Sequence, residues 1–231
     1  MFGPATALGT TNALSHALWG ISAKLMPVRS ACLNILDGQS HAIDTAHCND
    51  KLMLLLAGVG FEQQMVAAAD RDKKNQLGQL AYLNGLWQAV QSNHIQSLWV
   101  KFDEQPEQPL DTASLVVANA APLTTLLAQG RGAPDLTDGK LDITWLLADN
   151  EDSQFLGLAE LALAGLTNIN PSVASQSCQA SKIAVRRQDD QPLHYVIDGE
   201  LFEAKTLEIS INPASLCVML ADDDTEDTPV S

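Results

Sequence analysis

Across residues 182–220 apolar and polar residues alternate in short runs, and this period of two constrains the possible folds more than any other feature. Leu207, Ile209 and Ile211 share one side of a strand over 206–211, and Leu216, Val218 and Leu220 share one side of a strand over 216–220. Lys182–Arg187 and Leu193–Ile197 read as two more strands, with DDQP and Asp198-Gly199-Glu200 as turns. Upstream, 30–36 and 40–47 flank Asp37-Gly38, a hairpin signal, and a third strand over 51–61 follows Asn49-Asp50. Further strands are expected over 95–102, 113–118 and Leu141–Leu147, with EQPEQP as a loop that cannot be a central strand. Helical spacing is confined to about 10–20, 62–69, 77–91 and 152–166. The expected class is α+β, an antiparallel β-sandwich carrying a few helices.

Composition excludes several functions. Hydrophobic residues make up 46% and charged residues 18%, so the chain can bury a core. Lys and Arg number 13 against 28 Asp and Glu, a formal charge of −15, which argues against a nucleic-acid backbone as ligand. The longest apolar run, LMLLLAGVGF at 52–61, is far short of the ~20 residues that span a bilayer. The opening residues, MFGPATALGTTN, lack the charged and apolar regions of a signal peptide, so a cytoplasmic location is expected. Cys32, Cys48, Cys178 and Cys217 show no CxxC pair and read as reduced, mostly buried thiols. The five histidines show no metal spacing, and Trp19, Trp87, Trp99 and Trp145 read as core.

Three segments can carry chemistry. Gly9-Thr10-Thr11-Asn12 precedes a helix, where free N–H groups and the dipole suit a phosphate; the same residues are ordinary helix caps. GAPDLTDGKLD at 132–142 is an Asp-Gly loop with another carboxylate four residues on, able to wrap a hard cation, or simply a turn before a strand. Asp198-Gly199-Glu200 holds carboxylates at a turn, where one can serve as general base toward a hydroxyl; it also fits an ordinary type I′ hairpin.

Taken in order, GTTNALSHAL, LLLAGVGFEQQMV, LGQLAYLNGL, VVANA, GAPDLTDGKLD, VIDGE and INPASLCVML resemble the diacylglycerol-kinase-like lipid kinases, over roughly residues 6–221. That resemblance implies the second domain of the fold shared with NAD kinases, and transfer of phosphate from ATP, with Mg2+ or another divalent cation, to a lipid hydroxyl such as that of diacylglycerol. It assigns Gly9, Thr10, Thr11 and Asn12 to the GTxN motif on the nucleotide side. Asp138, with Asp135 and Lys140 in the same loop, becomes the metal-site segment. Glu200 becomes the residue that helps deprotonate the acceptor, with Asp198 beside it.

The implied organisation is a remnant of the nucleotide-binding domain over 1–20, a β-sandwich lipid domain over 21–221, and an acidic disordered tail over 222–231. Implied partners are a lipid substrate and, transiently, a membrane surface. The family's GGDGT loop lies upstream of GTxN and does not occur in these 231 residues, and Ala13 stands where many members carry Asp. The expectation is therefore that this chain alone is inactive and depends on an N-terminal nucleotide-binding domain or partner chain. The alternative is a non-catalytic lipid-binding module.

Overall fold

The structure is a computed structural model. It describes residues 27–36, 38–60, 95–120, 135–147 and 175–220, and helical, half-buried Leu14, Ala17 and Leu18. The helices expected over 62–69, 77–91 and 152–166, most of that over 10–20, and the tail at 222–231 lie outside the described residues.

Helix α1 (Pro27–Leu36) precedes eleven strands: β1 (Gln39–Cys48), β2 (Lys51–Met53), β3 (Leu56–Val59), β4 (Gln96–Phe102), β5 (Gln108–Ala118), β6 (Leu141–Leu147), β7 (Ser175–Ala180), β8 (Lys182–Arg187), β9 (Leu193–Ile197), β10 (Glu200–Ala204) and β11 (Thr206–Leu220). All eleven belong to one hydrogen-bonded sheet in the order β10-β9-β3-β5-β4-β8-β11-β1-β2, with β6 on β5 and β7 on β6. Every pairing is antiparallel.

Strand β5 makes this sheet curl. Its first half pairs with β4 (Gln96 opposite Thr112), and its second half pairs with β3 on one edge and β6 on the other. The change of partner falls at a bulge between Thr112 and Leu115. There the Thr112 hydroxyl donates to the Leu146 carbonyl at 2.6 Å and accepts from the Ser114 N–H at 3.2 Å, closing the gap the bulge leaves in the ladder. Two contacts span the resulting concavity. Trp145 of β6 stacks on Phe102 of β4 with centroids 5.9 Å apart, and the β1–β2 turn reaches β9, with Asn49 Nδ2 3.1 Å from the Tyr195 hydroxyl.

The inner face is the core that the alternation specifies. Leu98, Val100 and Phe102, Ile183 and Val185, Leu193, Tyr195 and Ile197, and Leu207 and Ile209 all enter one buried cluster. Each fully buried aliphatic side chain there contributes roughly 1.5–3 kcal/mol. Among the described residues no helix is long and apolar enough to cross a membrane.

Several expectations need correction. Residues 30–36 are not a strand but the end of α1, so Asp37-Gly38 joins helix to strand. A Cβ on Gly38 would meet the Asn34 carbonyl oxygen at 2.2 Å and that of Leu220 at 3.0 Å, so the join requires glycine for want of space. The strand expected over 51–61 divides into β2 and β3 at Leu54-Leu55. The two strands expected over 206–211 and 216–220 are one strand, β11. Strand β5 starts at Gln108, so the last two residues of EQPEQP are paired: Pro109 lies opposite Trp99 on a stretch with no partner along its other edge among the described residues. Strands β7 and β10 were not foreseen. Trp99 lies on the outer face beneath Arg186, whose guanidinium carbon is 5.6 Å from the ring centroid. All four cysteines are free, but Cys32 and Cys217 are exposed rather than buried.

Gly38→Ala forces a methyl against two backbone carbonyls that cannot swing away. The expected loss is about 3 kcal/mol of unfolding free energy, read from urea denaturation.

Candidate functional site

Both Asp-Gly turns lie on the same rim of the sheet. At one of them Asp198 (φ 48) and Gly199 (φ 94) form the two-residue loop between β9 and β10, both left-handed as a type I′ hairpin requires. The Asp198 carboxylate accepts three backbone N–H bonds, from Leu54 at 2.8 Å, Leu55 at 2.9 Å and Leu56 at 3.0 Å. Those donors are where the chain breaks between β2 and β3, so this carboxylate replaces a missing strand neighbour. Glu200, the first residue of β10, is exposed; its backbone pairs with Ile197, and its carboxylate has no hydrogen-bond or ionic partner among the described residues.

At the other turn, Gly139 (φ 68) lies between Asp138 and Lys140. Asp135 Oδ1 accepts the Thr137 N–H at 2.9 Å and its hydroxyl at 2.8 Å, shaping the loop locally. Asp138 accepts the Lys140 N–H at 2.8 Å through Oδ1 and the Gln179 amide at 3.2 Å through Oδ2. Gln179 Nε2 also reaches Asp142 Oδ1 at 3.1 Å. Lys140 Nζ points to Ser181 Oγ at 3.0 Å, on the β7–β8 turn.

A side chain that sequence reading missed anchors this loop. Asp44, only 2% exposed, accepts the Gly139 N–H at 2.8 Å through Oδ2 and the Ala214 N–H at 2.7 Å through Oδ1. Its own N–H donates to the Leu136 carbonyl at 2.7 Å. Ala214 lies in a bulge of β11, where the register with β1 jumps between Ile43 and Thr45, and its φ of 49 is unusual for alanine. Thr45 Oγ1 and Ser215 Oγ, 2.8 Å apart, close the other side of the bulge. The signal in the sequence was a lone Asp inside an otherwise apolar stretch of strand, AIDTA.

Asn119 connects the two turns. Its Nδ2 donates to the carbonyls of Asp44 at 3.1 Å and Leu54 at 2.9 Å, and its backbone N–H donates to that of Leu55 at 2.8 Å. Its Oδ1 is buried with no partner among the described residues. Hydrogen bonds thus run from Asp198 through Leu54 and Leu55 to Asn119, then to Asp44 and Gly139. The rim row Asp198–Leu56–Ala118–Asp142 crosses three strand spacings, so about 14 Å separates its ends. The two turns share one rigid frame without touching.

Cys48 lies beneath this rim. Burial, then the Asp198 and Asp50 charges, pushes its thiol up to about 12, so it stays protonated and is no nucleophile at neutral pH. Gly9, Thr10, Thr11 and Asn12 lie outside the described residues. Among the described residues there is no group of three or more His, Cys, Asp or Glu side chains able to hold a metal ion. What the rim offers a cation is the Asp138 and Asp142 carboxylates around Gln179. Such hard oxygen donors, few in number, fit a Mg2+ that keeps most of its water.

No protein-family model matches the chain. It is 35% identical over 208 residues to an uncharacterized protein of Synechocystis sp., covering 90% of this chain and 47% of that protein. It is 30% identical over 217 residues to a Pseudomonas aeruginosa protein named Probable lipid kinase YegS-like, covering 92% of this chain and 66% of that one. The chain thus spans about half to two thirds of the curated relatives it matches. Among solved structures it superposes with a TM-score of 0.69 and 18% identity on a candidate diacylglycerol kinase from Bacillus anthracis str. Sterne, covering 93% of this chain and 68% of that one. A second diacylglycerol kinase structure from that organism gives a TM-score of 0.56 at 13% identity, covering 93% and 65%. These likenesses establish a shared fold.

Two measurements check the geometry. Asp44→Ala leaves the part-buried N–H groups of Gly139 and Ala214 without their acceptor and is expected to cost about 2 kcal/mol of stability in urea. A thiol reagent at pH 8 is expected to modify Cys32 and Cys217 within minutes and to leave Cys48 unmodified until the protein unfolds, as read by peptide mass.

Proposed function

We propose that this chain, which belongs to the diacylglycerol-kinase-like lipid kinase family, supplies the acceptor side of a phosphoryl transfer from ATP to a lipid hydroxyl such as that of diacylglycerol. In this reading the curled sheet is the family's second, β-sandwich domain. The observation that carries the proposal is the single hydrogen-bonded frame joining the loop of Asp138 to the turn of Glu200.

The chemistry divides among named groups. The Glu200 carboxylate is exposed and without a partner among the described residues, as it must be if it is to accept the proton of an incoming hydroxyl. Asp198 is already surrounded by three N–H donors; its part is to fix the turn, and with it the start of β10 that carries Glu200. Asp138 and Asp142 would hold a divalent cation, which when bound neutralises charge on the transferring phosphate. Asp135 and Lys140 shape the loop through Thr137 and Ser181 rather than through a ligand. Gly9, Thr10, Thr11 and Asn12 are assigned by resemblance to the nucleotide phosphates.

The test is ATP-dependent phosphorylation of diacylglycerol in mixed micelles, on protein purified from its source cells, against Glu200→Gln. The variant is expected to fold normally and to lose at least about 100-fold in kcat. Retained turnover would remove Glu200 from the mechanism. Absence of turnover in the unaltered protein, with binding to diacylglycerol vesicles retained, would favour a lipid-binding module.

A further inference from the structure

Gln179 lies on β7 directly opposite Asp142 of β6, and the Asp-Gly loop brings Asp138 to the same point. One amide nitrogen is within 3.2 Å of Asp138 Oδ2 and 3.1 Å of Asp142 Oδ1, so it uses both of its N–H bonds on two carboxylates. The orientation is dictated by charge, because a turned amide would set its own oxygen against two anionic oxygens. Asp142 is only 8% exposed, which strengthens its repulsion of Asp138 relative to a pair in open water. A neutral donor thus occupies the position from which a cation would satisfy both carboxylates.

We infer that Gln179 is a positioning residue of the cation loop: its amide holds Asp138 and Asp142 together when no cation is bound, and a divalent cation entering between them displaces it. This rests on the reading of Asp138 and Asp142 as cation ligands, but the brace itself does not require that a cation ever binds. The loop would then keep its shape between catalytic cycles, instead of opening whenever the ion leaves.

The experiment is thermal unfolding of the 231-residue chain and of Gln179→Leu and Gln179→Glu, each in EDTA and in 10 mM Mg2+, with NaCl matching the ionic strength. In EDTA both variants are expected to melt lower than the unaltered chain, the leucine variant by about 3 °C and the glutamate variant by more, since it adds a third carboxylate. Mg2+ is expected to shift the unaltered chain slightly and to restore both variants, the glutamate variant most. A side chain that merely packed would lower melting equally with and without Mg2+. Equal melting of the leucine variant and the unaltered chain in EDTA overturns the brace. If Mg2+ moves none of the three, the cation reading of the loop fails, while the comparison in EDTA still decides the brace. Should the glutamate variant not fold in EDTA, folding it in Mg2+ and then chelating the ion gives the same comparison.

Discussion

The rim depends on one buried carboxylate. Removing Asp44 from water is unfavourable unless its oxygens find donors. The donors are two backbone amides from segments far apart in sequence, Gly139 and Ala214. Strand β1, the loop after Asp135 and the bulge of β11 can therefore separate only by exposing or orphaning a charge. The same requirement explains a strained residue. Ala214 has a φ of 49, a conformation costing about 1–2 kcal/mol for a residue with a side chain, and it points its N–H at Asp44. One hydrogen bond, from the Ala214 N–H to Asp44, helps to offset both the strain and the desolvation.

From that anchor the frame passes through Asn119 to the break between β2 and β3, where Asp198 takes up three otherwise unpaired amides. Residues 112–120 are buried on both sides of the strand, so Asn119 is held by packing as well as by hydrogen bonds. A turn at a sheet rim ordinarily moves more than the strands beneath it. Here each Asp-Gly turn is fastened to a buried element, which gives the exposed Glu200 and Asp138 a fixed footing.

Much of this was legible in the sequence wherever a strand turns one face to the core and the other to water. Leu141–Leu147, Lys182–Arg187 and Leu193–Ile197 fall where the alternation placed them, because their inner residues all enter the buried cluster. Residues 30–36 misled because Asp-Gly ends helices as readily as it turns hairpins. Only the approach of Gly38 to the Asn34 and Leu220 carbonyls distinguishes the two, and half of that contact comes from the other end of the chain. Strand β7 is mostly polar, and Cys178 and Ala180, its two residues turned to the core, are too few to mark a period; Gln179 carried no signal at all. The Asp-Gly dipeptide at 198–199 announced a type I′ hairpin correctly. What it could not announce was that the Asp198 side chain would replace a strand partner about 140 residues earlier in the chain.

If the rim receives a phosphate, as proposed, its charge gives a cation a part to play. Asp135, Asp138, Asp142, Asp198 and Glu200 line it, and the chain as a whole carries −15. The cationic side chain of the loop, Lys140, is directed at Ser181. An anionic phosphate approaching such a surface meets repulsion of about 1 kcal/mol per carboxylate at 4 Å in water, and several times that where the rim is shielded from solvent. Backbone amides, the usual alternative for gripping phosphate, are already committed here: those of Leu54, Leu55 and Leu56 to Asp198, that of Gly139 to Asp44 and that of Lys140 to Asp138. A divalent ion between Asp138 and Asp142 would neutralise that pair without rebuilding any of those bonds. It would compete with the amide of Gln179, a neutral and exposed donor and therefore weaker than a cation at the same carboxylates.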